Sequence, residues 1–485
     1  MRYVLAIWTG KLVAFASRLL GRGGGTSLPG LIALRLCHDV DARLARKLPR
    51  GCVLITGTNG KTTTAKMVAT ILRRAGWRLV RNVSGANLRR GVASTLIADA
   101  TLFGRPRGEF GLFEADEAAV REIVGLLAPR AVVVTNFFRD QLDRYGELDT
   151  TARRMNEAFR SALGSDAVLV LNLDDPLVQG LAEGCAAQVL GYGIEAGVGT
   201  EPFPREHNRL SSGNGGKGAP SPFHTDDAQA ADTKNCPRCG ADYEYSVRRF
   251  AHLGDYRCPA CGYARSRPEV AAVGIDLHGT DGMDITLDLR GHALDVSVQM
   301  PGLYNVYNAT AAAALCTTLG IGQEVIAEGL SSFSAAFGRV ERIGFQDGKT
   351  ALLLLAKNPT GFNEVIRTVS AAGERRHTLL ALNDNIADGR DVSWIWDVDF
   401  ERLVGTPASV VASGIRAHDM ALRLKYAGFD QDSIHIEPDT RRALQVALDR
   451  AAPGETVNAL LTYTALLDLR GRLEREGLAP RFWEE

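Results

Sequence analysis

Residues 53–64 read VLITGTNGKTTT, a short apolar run that breaks into a glycine turn and then opens a helical pattern from Thr62 to Ala75. A strand feeding a helix through such a turn leaves backbone N–H groups free to close around phosphate. Lys61 adds a mobile positive charge, and the Thr62 hydroxyl can reach Mg²⁺. The loop residues are Gly57, Thr58, Asn59, Gly60, Lys61, Thr62 and Thr63. The spacing is shorter than the general G-x-x-x-x-G-K-[ST] pattern unless Ile55 and Thr56 are counted in. The bland alternative is a glycine turn with a surface lysine. The segments that follow favour phosphate.

EFGLFEA (109–115), AVVVTN (131–136) and VLVLNLDD (168–175) are apolar runs that end in polar residues, with helical stretches between them. Continuous apolar strands alternating with helices predict an α/β fold with a parallel sheet covered on both faces. The ligand site of such a sheet lies at the carboxyl ends of its strands. Glu114 or Glu117 could supply a hard oxygen ligand to Mg²⁺, and Asn136, Asp140 and Asp143 follow the next strand. Residues 197–235, rich in Gly, Ser, Pro and Asp, read as a flexible insertion. Strands at 270–300 and an Ala-rich helix from about Asn305 come next. A second alternation starts near 336 with ALLLLA (351–356), TLLALND (378–384), SVVASG (409–414) and NALLTYT (458–464). The expected division is a helical leader at 1–50, a central ATP-binding domain at 51–335 and a smaller Rossmann-like α/β domain at 336–485.

Cys236, Cys239, Cys258 and Cys261 form C-x2-C-x18-C-x2-C. Thiolates at this spacing close a tetrahedral zinc site. With four protein ligands no coordination position stays open, so the predicted role of this inserted ribbon (236–265) is structural. A redox dithiol would not need two pairs. Cys37, Cys52, Cys185 and Cys316 sit alone in apolar surroundings and read as buried thiols.

With 485 residues, several cores are expected. The 56 acidic and 56 basic residues balance, so bulk charge gives no argument for nucleic acid or for strong membrane attraction. The N-terminal segment is interrupted by Lys11 and Arg18, too soon for a spanning helix of about 20 apolar residues. Leu5, Trp8, Leu12, Phe15 and Leu19 recur at helical spacing. They predict a helix docked on the core through that face, with a helix lying on a membrane surface as the alternative. The expected location is cytoplasmic, with peripheral attachment at the inner face of the membrane open.

Together these residues resemble the Mur ligase superfamily of ATP-dependent peptide ligases. GTNGKTTT is similar to its ATP loop, and TNFFRDQLDRYG (135–146) to its T-N-x-x-x-D-H-L-D segment. LNLDDP (171–176), PGLYNVYNATAA (301–312) and FGRVER (337–342) match further signatures. Gln141 replaces the family histidine, and AKNP (356–359) with Leu354 replaces D-Y-A-H-N-P. The usual N-terminal domain for a UDP-linked substrate is absent or reduced to a short leader. GGGTSLPG (23–30), the cysteine module, KNPTGFNE (357–364), DNIADGRDVSW and TYTALLDLR (462–470) are similar to one branch, the synthase subunits of lipid II isoglutaminyl synthases. That branch works with a GatD-type glutamine amidotransferase.

The resemblance implies that ATP phosphorylates the α-carboxylate of D-glutamate in the lipid II stem peptide. Ammonia then displaces phosphate to give D-isoglutamine. It implies Lys61 on the transferring phosphoryl group and Thr62 with Glu114 in the Mg²⁺ shell, Glu117 being second choice. Asn136 and Asp140 would line the site, Asn308 would face the adenine and Arg339 the phosphates. Two other functions fit part of the pattern: a ligase adding an amino acid, and a scaffold whose nucleotide only orders a complex.

DNIADGRDVSWIWD (384–397) carries four aspartates and two tryptophans. The aspartates at 384, 388, 391 and 397 could chelate a cation, but Asp-Gly (388–389) is first a turn signal, and Asp384 and Asn385 sit at a strand end where capping is ordinary. Trp394 and Trp396 would point the same way if extended, as buried core or as an anchor for a partner. If the partner works through Cys and His, a carboxylate from this chain could orient its histidine. Asp391 is the first candidate and Asp384 the second.

Overall fold

The computed structural model describes residues 2–19, 27–82, 86–139, 148–195, 233–333, 340–345, 347–371 and 375–479. Asp140, Asp143, Arg339 and most of the 197–235 insertion lie outside them. Six strands come first: β1 (Cys52–Thr56), β2 (Leu79–Arg81), β3 (Phe110–Glu114), β4 (Ala131–Val134), β5 (Val168–Asn172) and β6 (Gln188–Ile194). The hairpin β7 (Glu244–Phe250) and β8 (Leu253–Arg257) stands apart from the meander β9 (Val270–Leu277), β10 (Met283–Leu289) and β11 (Ala293–Val298). One sheet runs β11-β10-β9-β6-β5-β4-β1-β3-β2. It is parallel from β2 to β9 and antiparallel at β10 and β11.

Sequence pattern follows position in this sheet. Every residue of β1, β3 and β4 is buried, because helices cover both faces. In β10 burial alternates, since one face is less covered. Helices Lys61–Arg74, Leu303–Thr318 and Gln323–Ser331 pack on one side. Helices Arg89–Asp99 and Val120–Leu127 and the N-terminal helices pack on the other.

The N-terminal helix Arg2–Leu19 forms as its spacing predicts, but it docks through the opposite face. Ala6, Ile7 and Gly10 are buried, while Leu5, Trp8, Leu12 and Phe15 are exposed. Small residues let the helix axis come close: a Cβ on Gly10 would lie 3.0 Å from Ile97 Cγ2. Among the described residues, no helix is long and apolar enough to cross a membrane.

The second sheet comprises β12 (Val340–Gly344), β13 (Thr350–Leu355), β14 (His377–Ala381), β15 (Ser409–Ser413), β16 (Ile434–Ile436) and β17 (Thr456–Leu461). Its order is β12-β13-β17-β14-β15-β16, parallel except at β12. Two apolar clusters lie on its faces, one under helix Pro359–Ala371, the other under Thr440–Arg450 and Tyr463–Arg475.

Candidate active site

After β1 the chain turns at Gly57 and Gly60, whose φ values are +116° and +89°. Space excludes a side chain as firmly as backbone does. A Cβ on Gly60 would lie 2.1 Å from Asn308 Oδ1, and one on Gly57 2.3 Å from Thr135 Oγ1. The loop is therefore pressed between the end of β4 and the helix of Asn308. Asn136 fixes it from the side: its carbonyl accepts from Thr58 N at 2.9 Å, its Oδ1 from Asn59 N at 2.9 Å. Asn136 Nδ2 and the Thr135 hydroxyl both donate to Asn59 O.

The Lys61 ammonium donates to the carbonyls of Gly57 and Thr58 and lies 3.0 Å from Glu117 Oε2. Burial alone would raise the Glu117 carboxyl. Lys61, hydrogen bonding to its own backbone, and Lys357 together hold it below its ordinary value. Glu117, the second choice for Mg²⁺, is thus placed against the phosphate-loop lysine. The Thr62 hydroxyl donates to Glu114 Oε2 at 2.7 Å, and Glu114 Oε1 is buried with no partner. Asn82 sets the strand end by accepting from Glu114 N and donating to Glu114 O. An orphaned carboxylate oxygen beside a phosphate-loop hydroxyl fits a divalent cation of hard character.

Asn308 is buried and held by Asn305, so its amide is aimed along the edge of the loop. A cleft opens beside it, lined from the first sheet by Asn59, Gly60, Asn136 and Asn308. From the second sheet come Leu355, Lys357, Asn358 and Gly361. Asn358 Nδ2 donates to Asn59 Oδ1 at 3.2 Å, bridging the two sheets at the loop. AKNP, singled out as a departure from the family pattern, therefore reaches the loop of Gly57 to Gly60. Leu354 is buried in the core of the second sheet.

Phe250 and Leu253 complete one wall of this cleft, with Tyr304 and Tyr307. They were not legible as site residues, because they belong to the hairpin between the two cysteine pairs. The four Sγ atoms lie within 4.8 Å of one another. A tetrahedral zinc with Zn–S of about 2.3 Å needs sulfurs about 3.8 Å apart, so the donors fit. Each knuckle turns alike: Gly240 N donates to Cys236 O and Gly262 N to Cys258 O, both glycines at φ +76°. The module is anchored at the end of β5. Asp174, fully buried, accepts from Arg265 Nε and from Tyr307 OH, each at 2.7 Å. Asp175 caps helix Pro176–Gly180 and lies 3.3 Å from His252 Nε2.

The aspartates of 384–397 lie on the loop after β14, outside this cleft. Asp388 is buried, accepting from Thr464 N at 2.8 Å and from the Thr464 hydroxyl. Asp384 is 2.8 Å from Arg416. Asp391 is exposed, and its Oδ1 accepts only the Ser393 N–H in the described contacts. The two tryptophans diverge rather than share a face, because Ser393–Asp397 is a 3₁₀ turn and not a strand. Trp394 packs toward Phe362, whereas Trp396 is half exposed against Tyr426.

A phosphate loop at a parallel strand end, facing a second α/β sheet across a cleft, places the chain among proteins of the Mur ligase fold. Residues 55–212 match the Mur ligase middle domain and residues 355–466 the MurT ligase C-terminal family. The chain belongs to the MurT family. It is 31% identical to the lipid II isoglutaminyl synthase (glutamine-hydrolyzing) subunit MurT of Staphylococcus aureus strain N315, over 98% of both chains. It is likewise 31% identical to that of Streptococcus pneumoniae, over 97% of this chain and 96% of the relative. Among solved structures it is similar to a pseudomurein peptide ligase type C from Methanothermus fervidus, with TM-score 0.64, 22% identity, and 90% and 80% of the chains covered. It also resembles MurF of Thermotoga maritima in complex with ADP, with TM-score 0.62, 12% identity, and 92% and 85% covered.

Proposed function

We propose that this chain is the ATP-dependent carbon–nitrogen ligase subunit of a lipid II isoglutaminyl synthase. It amidates the α-carboxylate of D-glutamate in the stem peptide through an acyl phosphate. The observation that carries this reading is relatedness to MurT over 98% of both chains, together with an intact Lys61, Thr62 and Glu114 set where the loop after β1 meets the end of β3.

The loop amides and Lys61 hold the ATP phosphates, and Lys61 stabilises charge on the phosphoryl group as it transfers. Mg²⁺, held by Thr62 and Glu114, would neutralise the phosphate oxygens. Asn136 shapes the loop, and Asn308 with Phe250 and Leu253 forms the wall that receives the base. Asp140 and Arg339 are assigned to the same site from the sequence. The four cysteines hold a structural zinc that keeps that wall in place. We draw the central unit as 51–335, with the ribbon at 236–265, and the C-terminal unit at 336–485 as Rossmann-like, on the order of its parallel strands.

Ammonia comes from a GatD-type glutaminase subunit. The thiols outside the cysteine module are unsuited to glutamine hydrolysis, which needs a thiolate. Burial pushes Cys52 up to about 12 and raises Cys316 and Cys185. Burial and the Asp39 carboxylate raise Cys37. We assign Asp391, with Asp384 second, to orienting the partner's histidine. Exposed Ile386, Trp396, Ile415 and Tyr426 from the same part of the C-terminal unit supply apolar contact. The reaction takes place on the cytoplasmic side of the membrane.

The test is to mix the chain, its glutaminase, ATP, Mg²⁺ and lipid II with either glutamine or ammonium. Amidation with both is expected. No amidation from either nitrogen source would overturn the ligase assignment.

A further inference from the structure

The N-terminal helix carries its bulky apolar side chains outward. Leu5, Trp8, Leu12 and Phe15 are 52, 51, 67 and 61% exposed, in one stripe along the helix. Leu102 and Phe103, 56 and 80% exposed, sit on the loop beside it. Helix and loop are lashed into one surface: Trp8 Nε1 donates to Leu102 O at 2.8 Å, Tyr3 OH to Gly104 O at 3.0 Å, and Lys47 Nζ to Gly104 O at 2.9 Å. The stripe cannot roll inward, because the buried face is seated by Gly10 against Ile97 and Pro29. Such a patch of contiguous large apolar groups marks a contact surface.

Charge identifies what covers it. Residues 1–38 contain no aspartate or glutamate. Arg2 and Arg35 are exposed on this segment, and Arg105 and Arg107 on the adjoining loop. Lys11 donates to Ala98 O. The nearby acids are engaged: Asp99 accepts from the backbone of Arg107 and Gly108, and Asp39 pairs with Arg43. A tryptophan and two phenylalanines set among cations, with the acids turned to local partners, is the composition of a surface that enters the headgroup layer of an anionic bilayer.

We infer that the outer face of helix Arg2–Leu19, with Leu102 and Phe103, docks the protein on an anionic membrane surface. This goes beyond the ligase assignment, since it concerns a face remote in composition and packing from the nucleotide cleft. A docked face of this kind keeps the enzyme where a lipid-linked substrate presents its headgroup.

The test is flotation of the complex with its glutaminase on vesicles of equal parts phosphatidylglycerol and phosphatidylcholine, without lipid II. The wild type is expected to float, and less so as salt rises. Leu12→Glu with Phe15→Glu, and separately Arg105→Glu with Arg107→Glu, should each weaken binding by at least about tenfold. Both variants should bind a fluorescent ATP analogue as the wild type does, which shows that they are folded. A wild type that ignores these vesicles, or variants that float equally well, would overturn the inference. Loss of the glutaminase from the Leu12/Phe15 variant, with no vesicle binding by the wild type, would make the face a protein interface instead. Amidation of a water-soluble substrate analogue depends on the cleft alone, so failure of the two readings can be told apart.

Discussion

The hydroxyl of Thr62 donates to one oxygen of the Glu114 carboxylate at 2.7 Å, and the other oxygen of that carboxylate is buried without a partner. A buried acceptor left open costs about 1–3 kcal/mol, so the site is poised for a cation. Glu114→Gln should lower Mg²⁺-dependent ATP turnover by about 10²–10³-fold. Binding of ATP measured in excess chelator should change little. Equal loss of both would mean that Glu114 only supports the loop.

Lys61 and Glu117 form a largely buried pair at 3.0 Å. Lys61→Ala should abolish ADP formation and leave the complex with the glutaminase intact on gel filtration. The pH dependence has a definite sign. Glu117 titrates below its ordinary value of 4.5 in the folded chain. Its ionised form therefore contributes stability above 4.5, which is lost as pH falls through the depressed folded value. Glu117→Gln should cost about 1–3 kcal/mol at neutral pH. Thermal melts at decreasing pH should show that difference shrinking below 4.5; a constant difference would rule out the ion pair as its source.

Phe250 and Leu253 bring the hairpin of the cysteine module into the wall of the cleft beside Asn59 and Gly60. Phe250→Ala should weaken binding of a fluorescent ATP analogue by about tenfold, on the burial of one aromatic side chain. Metal analysis of the same variant should still give about one zinc per chain, from the four-thiolate count. Stripping zinc from the wild type should weaken nucleotide binding at least as much. Unchanged affinity in the stripped protein would separate the module from the site.

Asp391 is exposed with its carboxylate held low by the hydrogen bond from Ser393. Asp391→Asn should reduce glutamine-dependent amidation by about 10²-fold or more. Ammonium-dependent amidation should be retained. Parallel loss of both activities would remove Asp391 from any role toward the partner.

The sequence by itself determined the local grammar. A glycine turn after VLIT requires backbone freedom that only Gly57 and Gly60 possess, and paired C-x2-C knuckles limit what can bind there. Strand runs ending in Glu114, Asn136 and Asp174 were readable because chain direction and burial are both written in local pattern. Tertiary structure decided everything that depends on which segments meet. It turned the N-terminal stripe outward, since small residues rather than large ones allow close helix packing. It split Trp394 from Trp396 by folding a 3₁₀ turn. It also carried Phe250 from a hairpin read as a structural appendage, and Asn358 from the second sheet, to a loop some 190 and 300 residues earlier. Side-chain neighbours so far apart in sequence leave no periodicity in it; they are set by how two sheets and a ribbon pack around one cleft.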